Sequence, residues 1–508
     1  MATARVQDST AVGVDGVAGP FAAITRRAEE HRARGGRVVA VQGLGFVGAA
    51  VAAVIAAATD EAGEPRYLVL GVDLPSPLGY SKVAMINAGV SPVGAVDPLL
   101  AAMTRKAAER GNLAATTCVE AYGLADVIVV DVHLDVETRV PEAPDAIRVG
   151  LGEFEDALRT IGRWMRPEAL VVLETTVPLG ATAEIALPIL VEEREKRGLR
   201  GRPLLAHAYE RVMPGPRYVE SIRRYPRTFA GIDDVSAART REFLSTFIDV
   251  DTHPLWELPD TTSSEMAKLL ENSYRSMNIA FIAEWALLAE RVGVNLFAVV
   301  DSIRVREGTH DNMRYPGFGV GGYCITKDSM LAQWGADHLF GADVVLGMTL
   351  EALRTNFFMP LHALDLLVEA VGDVEGKTIA VCGISYLPGV ADTRNSPVEQ
   401  LYDSLVEGGA TVAVHDPHVG TWAERREVEV TQRLAGAVDG ADAVVFAVAD
   451  AAYLDLTTDE LAAAVGRPAV MVDANNVVAD DKAEDLVARG WRVTGVGKGH
   501  WRRRGFHV

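Results

Sequence analysis

An α/β architecture, two doubly wound parallel-sheet domains joined by a long central helix, follows from three features of this 508-residue sequence. Strand-like apolar runs alternate with helical stretches over the first half, and the same rhythm restarts after Lys377. Between them lies a helical segment that neither proline nor glycine interrupts. Such alternation builds a mostly parallel sheet covered on both faces.

The elements follow in order. Residues up to about Pro20 read as a mobile tail and Phe21–Ala33 as a short charged helix. RVVAVQGLGFVGAAVAAVIAAA then gives a β-branched strand, a glycine turn and an alanine-rich helix. Further strands are expected at Tyr67–Val72, Val127–Val132, Leu170–Leu173 and Leu204–His207, with helices such as Leu151–Trp164 and Ala183–Lys196 between them. Thr262-Ser-Ser-Glu265 has the spacing of a capping box, the hydroxyl serving one open amide and the carboxylate another. The helix it opens runs to Val292 and stops at Gly293. About 30 residues at 1.5 Å each give ~45 Å, and apolar residues on several faces suggest burial between domains or against another subunit. Leu346–Ala370 reads as another helix. KTIAVCGISY, ATVAVHDPHV, ADAVVFAVAD and PAVMVDANNV are the strands of the second unit.

Composition narrows the function. Hydrophobic residues make up 49% and charged residues 23%, ordinary for a globular protein, and the net charge is −20. That balance argues against nucleic acid or an anionic membrane as partner, while leaving room for a local basic pocket. Three scattered cysteines fit a reducing compartment and provide neither a disulfide framework nor a metal site. The first residues lack a signal-peptide pattern, and runs such as Ala49–Ala58 are too short to span a bilayer, so a cytoplasmic location is expected.

Several residues carry chemistry. Gly43-Leu-Gly45-Phe46-Val47-Gly48 is a G-x-G-x-x-G fingerprint between a strand and a helix, the context a pyrophosphate site requires. Asp73 ends the next strand, where a carboxylate binds ribose hydroxyls and disfavours a 2′-phosphate, so NAD is expected over NADP. The spacing from Gly48 is long, with Asp60–Arg66 an inserted turn. Cys324 lies in GFGVGGYCITKD, where glycines let backbone approach a ligand closely. Lys268 and Asn272 share a face of the long helix. In isolation they read as a solvated lysine and a helix-interior asparagine; beside a thiol, an ammonium and an amide can stabilise an oxyanion. Asp328 is either a capping carboxylate or a general base for water. Tyr209–Gly215 and Glu174–Gly180 follow strands, as substrate loops do, although either is by itself a polar turn and Thr175 and Thr176 routine loop residues.

Together these segments resemble the nucleotide-sugar 6-dehydrogenases, the family of UDP-glucose, UDP-N-acetylhexosamine and GDP-mannose dehydrogenases. The likeness runs from about Arg37 to Gly499 through GLGFVG, ETTVPLG, ERVMPG, KLLENSYRSMNIAFIAE, PGFGVGGYCITKD and GISYLPGVADTRNSP. After the tail and short helix of 1–35, it implies a Rossmann-like NAD-binding domain at 36–250, a central helical dimerisation region at 251–360 carrying the cysteine loop, and a Rossmann-like nucleotide-sugar domain at 361–508. The implied reaction oxidises a sugar C6 alcohol to a carboxylate in two NAD-dependent steps. Cys324 would trap the aldehyde as a thiohemiacetal, then carry a thioester that water hydrolyses. Lys268 and Asn272 match the family's oxyanion stabilisers, Asp328 and Thr176 the pair handling water and protons, and Glu210 an acidic residue near the reacting carbon. The resemblance adds Thr176 and Lys327 to the fingerprint and Asp73 as cofactor contacts. It places Glu210, Arg211, Val212, Lys268, Asn272, Tyr315, Gly321 and Arg394 against the substrate. No metal is implied, and a homodimer or larger homo-oligomer is.

The departures are Asp131-Val-His-Leu-Asp135 in place of a Val-Pro-Thr-like turn, Tyr386-Leu387 in place of an aromatic–Lys pair, and Ala208-Tyr209 in place of Ser/Cys-Pro. Substrate signals are mixed: Glu210–Gly215 resembles the N-acetylhexosamine enzymes, and Gly322-Tyr-Cys with Lys327 the UDP-glucose enzymes. The reading leans to a UDP-hexose, UDP-glucose first. An NAD-retaining epimerase-like enzyme has no need of Cys324 or the Lys268–Asn272 pair. A two-electron hydroxyacid dehydrogenase has no need of the second α/β unit. A degenerate binding paralogue would have lost catalytic positions, and all six are present here.

Overall fold

The computed structural model describes residues 18–93, 97–212, 215 and 217–508. The tail expected at the N-terminus falls mostly outside them, as do Met213 and Pro214 of the ERVMPG segment. The chain divides into two compact units, one formed by residues up to Asp135 with Gly150–Glu265, the other by Val136–Val149 with Met266–Val508.

The first unit is built on eight strands: β1 (Arg37–Gln42), β2 (Tyr67–Val72), β3 (Leu113–Thr116), β4 (Val127–Val130), β7 (Leu170–Leu173), β8 (Leu204–His207), β9 (Thr228–Gly231) and β10 (Trp256–Glu257). A two-residue ribbon, β5 (Asp135–Val136) with β6 (Val149–Gly150), lies apart from them. The sheet order is β10-β9-β8-β7-β4-β1-β2-β3, parallel except where β8 meets β9. Its central strands are buried on both faces, which is why they read as continuous apolar runs rather than alternating ones. The alanine-rich helix Phe46–Ala56 is buried from Gly48 onward, its small side chains letting it lie close against the sheet. Thr59 bridges to Pro65 across the inserted turn, where Asp60 Oδ1 accepts the amides of Ala62 and Glu64 at 2.9 Å.

The second unit carries six parallel strands, β11 (Thr378–Cys382), β12 (Thr411–His415), β13 (Val430–Thr431), β14 (Ala443–Phe446), β15 (Val470–Asp473) and β16 (Arg492–Gly495), in the order β13-β12-β11-β14-β15-β16. The helix Gly347–Val371 packs its Met359, Ala363 and Leu367 into the same core as Val381 and Val472. The long helix spans Thr261–Val292. Ile282, Ala283, Ala286 and Ala289 on one side of it are buried. Met266, Leu270, Tyr274, Phe281, Trp285, Leu288 and Val292 stay exposed, at steps of three, four and seven residues that make one continuous stripe. Among the described residues no helix is long and apolar enough to cross a membrane.

Candidate active site

In the first unit the fingerprint glycines fill three separate roles. Gly43 adopts φ +87°, a turn closed to other residues, and a Cβ there would stand 2.6 Å from the Asp131 carbonyl oxygen. A Cβ on Gly48 would lie 2.0 Å from the Gly43 carbonyl, so this glycine lets the helix start against the strand. A Cβ on Gly45 would meet no atom within 4 Å, leaving open space where a ligand can approach the backbone. Close turn, open approach and tight helix packing are what a pyrophosphate cradle needs, so these residues fit a dinucleotide. Phe46 and Val47 pack on the apolar core below, and the Tyr218 hydroxyl donates to the Phe46 carbonyl at 2.5 Å. Asp73 holds the turn as well: its carboxylate accepts the amides of Leu44 and Leu74, each at 2.8 Å, and pairs with Lys82 at 3.2 Å.

A polar layer crosses the C-terminal ends of β4, β7 and β8. Glu174 and Arg227 form a buried ion pair, each 3% exposed. Glu210 accepts the backbone amide of Val212. Arg211 donates to Pro226 O and, at 2.9 Å, to the hydroxyl of Tyr209, lying over that ring. Thr175 donates to Val132 O at 2.6 Å, and Thr176 beside it is half-buried.

The expected capping box is absent. Asp260 caps the long helix instead, accepting the Ser263 amide at 2.7 Å. Glu265 reaches away to the end of the ETTVPLG segment, where it accepts from Gly180 N at 2.5 Å, Thr182 N at 2.7 Å and Thr182 Oγ1 at 2.5 Å. Burial pushes its carboxyl up to about 7, outweighing the three donors that pull it down. Sequence spacing alone cannot separate a local cap from a distant anchor, because both want a carboxylate one turn into the helix.

In the second unit the helix and the cysteine segment meet. Asn272 Nδ2 donates to Asp328 Oδ2 at 2.6 Å, and the Lys327 ammonium is 3.6 Å from Asp328 Oδ1. Asp328 is 1% exposed, Asn272 5% and Lys268, one turn earlier, 6%. Three polar side chains are thus held out of water, where each needs partners. Cys324 is half-buried, and its carbonyl accepts the amides of Lys327 and Asp328 at 3.1 and 3.0 Å, starting the helix Asp328–Leu339. Arg394 interacts electrostatically with Cys324 and is clamped by Asp392 at 2.9 and 2.6 Å. Lys327 and Arg394 both approach the Tyr323 ring. Tyr315 lies farther along, bonded to Asp301 and stacked on Phe297.

The glycines before Cys324 have a different explanation from the one their sequence suggests. A Cβ on Gly317 would press on Asn475, on Gly319 on the Asn356 carbonyl, and on Gly321 or Gly322 on Tyr386, all at 2.3–2.7 Å. They admit the protein's own residues rather than a ligand. The Glu174–Arg227 pair and the Glu265 anchor went unrecognised in the sequence; each joins residues tens of positions apart, and no local pattern marks them.

Comparison with known proteins places these units. Three domain models of the UDP-glucose/GDP-mannose dehydrogenase family match: the NAD binding domain over residues 37–247, the central domain over 262–352 and the UDP binding domain over 380–480. The UDP-N-acetyl-D-mannosamine dehydrogenase of Pyrococcus horikoshii is 29% identical over 470 residues, covering 91% of this chain and 99% of its own. The NDP-N-acetyl-D-galactosaminuronic acid dehydrogenase of Ralstonia nicotianae is 29% identical over 432 residues, 84% of this chain and 93% of that one. The solved NDP-N-acetyl-D-galactosaminuronic acid dehydrogenase of Methanosarcina mazei superposes with a TM-score of 0.76 at 29% identity, covering 94% of this chain and 98% of that one. The cofactor is NAD.

Proposed function

The chain belongs to the UDP-glucose/GDP-mannose dehydrogenase family and oxidises a nucleotide sugar with NAD, and on that premise we propose a four-electron oxidation of C6 through a covalent intermediate on Cys324. The observation that carries it is the buried Asn272–Asp328 hydrogen bond, which ties the helix pair to the residue four beyond the thiol. Bound NAD supplies a hydride acceptor for each of two successive steps. In the first, the C6 alcohol gives its hydroxyl proton to water held by Thr176 and Asp328, loses a hydride and becomes the aldehyde. The Cys324 thiolate adds to that carbon, and the Lys268 ammonium with the second N–H of the Asn272 amide steadies the oxyanion. Hydride loss from the thiohemiacetal leaves a thioester. Asp328 accepts a proton from the water that hydrolyses it, releasing the thiol and the carboxylate. Arg394, which interacts electrostatically with Cys324, brings a cation toward the thiol.

For the sugar, a UDP-linked 2-acetamido hexose is the reading we favour over UDP-glucose. The relatives named above act on N-acetylated sugars, and Glu210–Val212 points the same way, against Gly322-Tyr-Cys and Lys327. The exposed stripe of the long helix is the surface through which two copies would pair, since seven large apolar side chains in a row are costly to leave in water.

The test is NAD reduction with a panel of UDP- and GDP-sugars. Two equivalents of NADH per uronate are expected, with kcat/KM highest for an N-acetylated UDP-sugar. A stop at one equivalent, or full acid formation by Cys324→Ser, would remove the covalent mechanism. A clear preference for UDP-glucose would remove the substrate assignment alone.

A further inference from the structure

The Asp131–Asp135 departure falls where a doubly wound sheet binds its ligand. Strands β2 and β3 lie to one side of β1, and β4 and β7–β10 to the other, so the switch point is the crevice beyond the ends of β1 and β4. Gly43 leaves β1 there and Asp131 leaves β4. A Cβ on Gly48 would sit 3.2 Å from Asp131 Oδ2. An aspartate therefore lies against the turn that receives the anionic pyrophosphate, a position where a negative charge opposes binding.

We propose that Asp131 stays neutral at this turn by sharing one proton with Glu174, and that NAD binds the proton-holding form.

Three observations support this. Asp131 Oδ2 and Glu174 Oε2 are buried and, among the described residues, meet no N–H or O–H donor. Asp131 and Glu174 follow the paired residues Val130 and Leu173 of neighbouring strands, and their carboxyl groups interact as a hydrogen-bonded pair, which two carboxylates cannot do without a proton between them. The third is the surrounding charge. Glu174 from β7 and Glu210 beyond β8 face Asp131 with like charge, and Arg227 at the start of β9 is committed to Glu174. From the fingerprint helix Gly48 offers only backbone. Burial and the two glutamates hold the Asp131 carboxyl well above the usual carboxylate range, against the pull of Arg227.

The consequence is linkage between NAD and a proton. As pH rises and Asp131 ionises, NAD must restore the proton in order to bind, so affinity falls and binding takes up protons. The inference rests on the NAD site and not on the Cys324 chemistry, so it is testable without a sugar substrate. Titration calorimetry of the full chain with NAD, from about pH 6 to about pH 9 in two buffers of different ionisation enthalpy, measures affinity and proton count together. Where Asp131 ionises, affinity should fall about tenfold per pH unit, with proton uptake approaching one. In Asp131→Asn, which keeps the shape without titrating, affinity should be flat with pH and uptake absent. Zero uptake by the native chain across the range overturns the proposal even if the variant fails to fold. Unchanged uptake in a folded Asp131→Asn overturns it equally, by moving the proton elsewhere.

Discussion

Replacing Glu265 tests how the ETTVPLG segment is held to the start of the long helix. Its carboxyl is 1% exposed and accepts from three donors on Gly180 and Thr182. Glu265→Ala strands two backbone amides in a dry site, while the Thr182 hydroxyl can rotate to another acceptor. At ~1–3 kcal/mol for each stranded donor, the loss is about 2–6 kcal/mol. Glu265→Gln keeps one carbonyl for Thr182 but turns an NH2 toward the Gly180 amide, a smaller cost of about 1–3 kcal/mol. The pH dependence is the sharper readout. Burial raises the carboxyl from 4.5 to about 7 in the fold. A raised acid contributes its stability in the protonated form, so the contribution is full below about pH 4.5 and lost as pH climbs through about 7. The displacement corresponds to about 3 kcal/mol. Urea unfolding at about pH 5 and about pH 8, followed by tryptophan fluorescence, should show the native chain losing up to about 3 kcal/mol relative to Glu265→Gln between those values. Parallel pH profiles for the two proteins would refute the reasoning, since the native carboxyl would then titrate as it does in the unfolded chain.

Other perturbations follow from the same geometry. Gly48→Ala places a methyl 2.0 Å from the Gly43 carbonyl, and NAD affinity by calorimetry should fall at least about tenfold with most of the helix content kept. Gly322→Ala combines φ +80° with a clash 2.7 Å from the Tyr386 ring; a loss of about 2–4 kcal/mol in thermal unfolding is expected, and Gly308→Ala, where a Cβ meets nothing, should cost about 1 kcal/mol for its φ of +75° alone. Asp328→Asn keeps an oxygen that can accept the Asn272 amide but removes the proposed base, so rapid-quench analysis should find sugar held on Cys324, whereas acid production at the native rate would exclude that role. Trp285→Glu with Leu270→Glu, both on the exposed stripe, should leave circular dichroism unchanged and shift sedimentation toward a single chain.

Strand positions were legible because these strands are short apolar runs bounded by turns: Tyr67–Val72, Leu170–Leu173 and Leu204–His207 coincide with β2, β7 and β8. The helix Thr261–Val292 was legible for a similar reason, since nothing in it breaks the backbone hydrogen bonding. The fingerprint was readable because its glycines act over six residues, close enough for spacing to encode geometry. The glycines before Cys324 carry a second explanation that their sequence does not reveal. Four glycines before a thiol have the same sequence signature whether the close neighbour is a ligand or Asn475, Asn356 and Tyr386, and only the fold distinguishes them.

Glu265 and Asp131 extend that point from glycines to charges. Each acid occupies a position with a ready local meaning, a helix cap for one and a loop substitution for the other. The structure instead gives each a partner on another element: the Gly180–Thr182 turn for Glu265, and Glu174 for Asp131. Burial supplies the reason. A carboxyl at the surface is satisfied by water and its local backbone, whereas a buried one must find donors or keep its proton. The depth of an acid therefore decides its chemistry here, and depth is set by the sheet order, which places β4 beside β7 and brings residues 131 and 174 together. An unusual acid at the end of a central strand in such a sheet is better read first as a proton-holding group than as a charge.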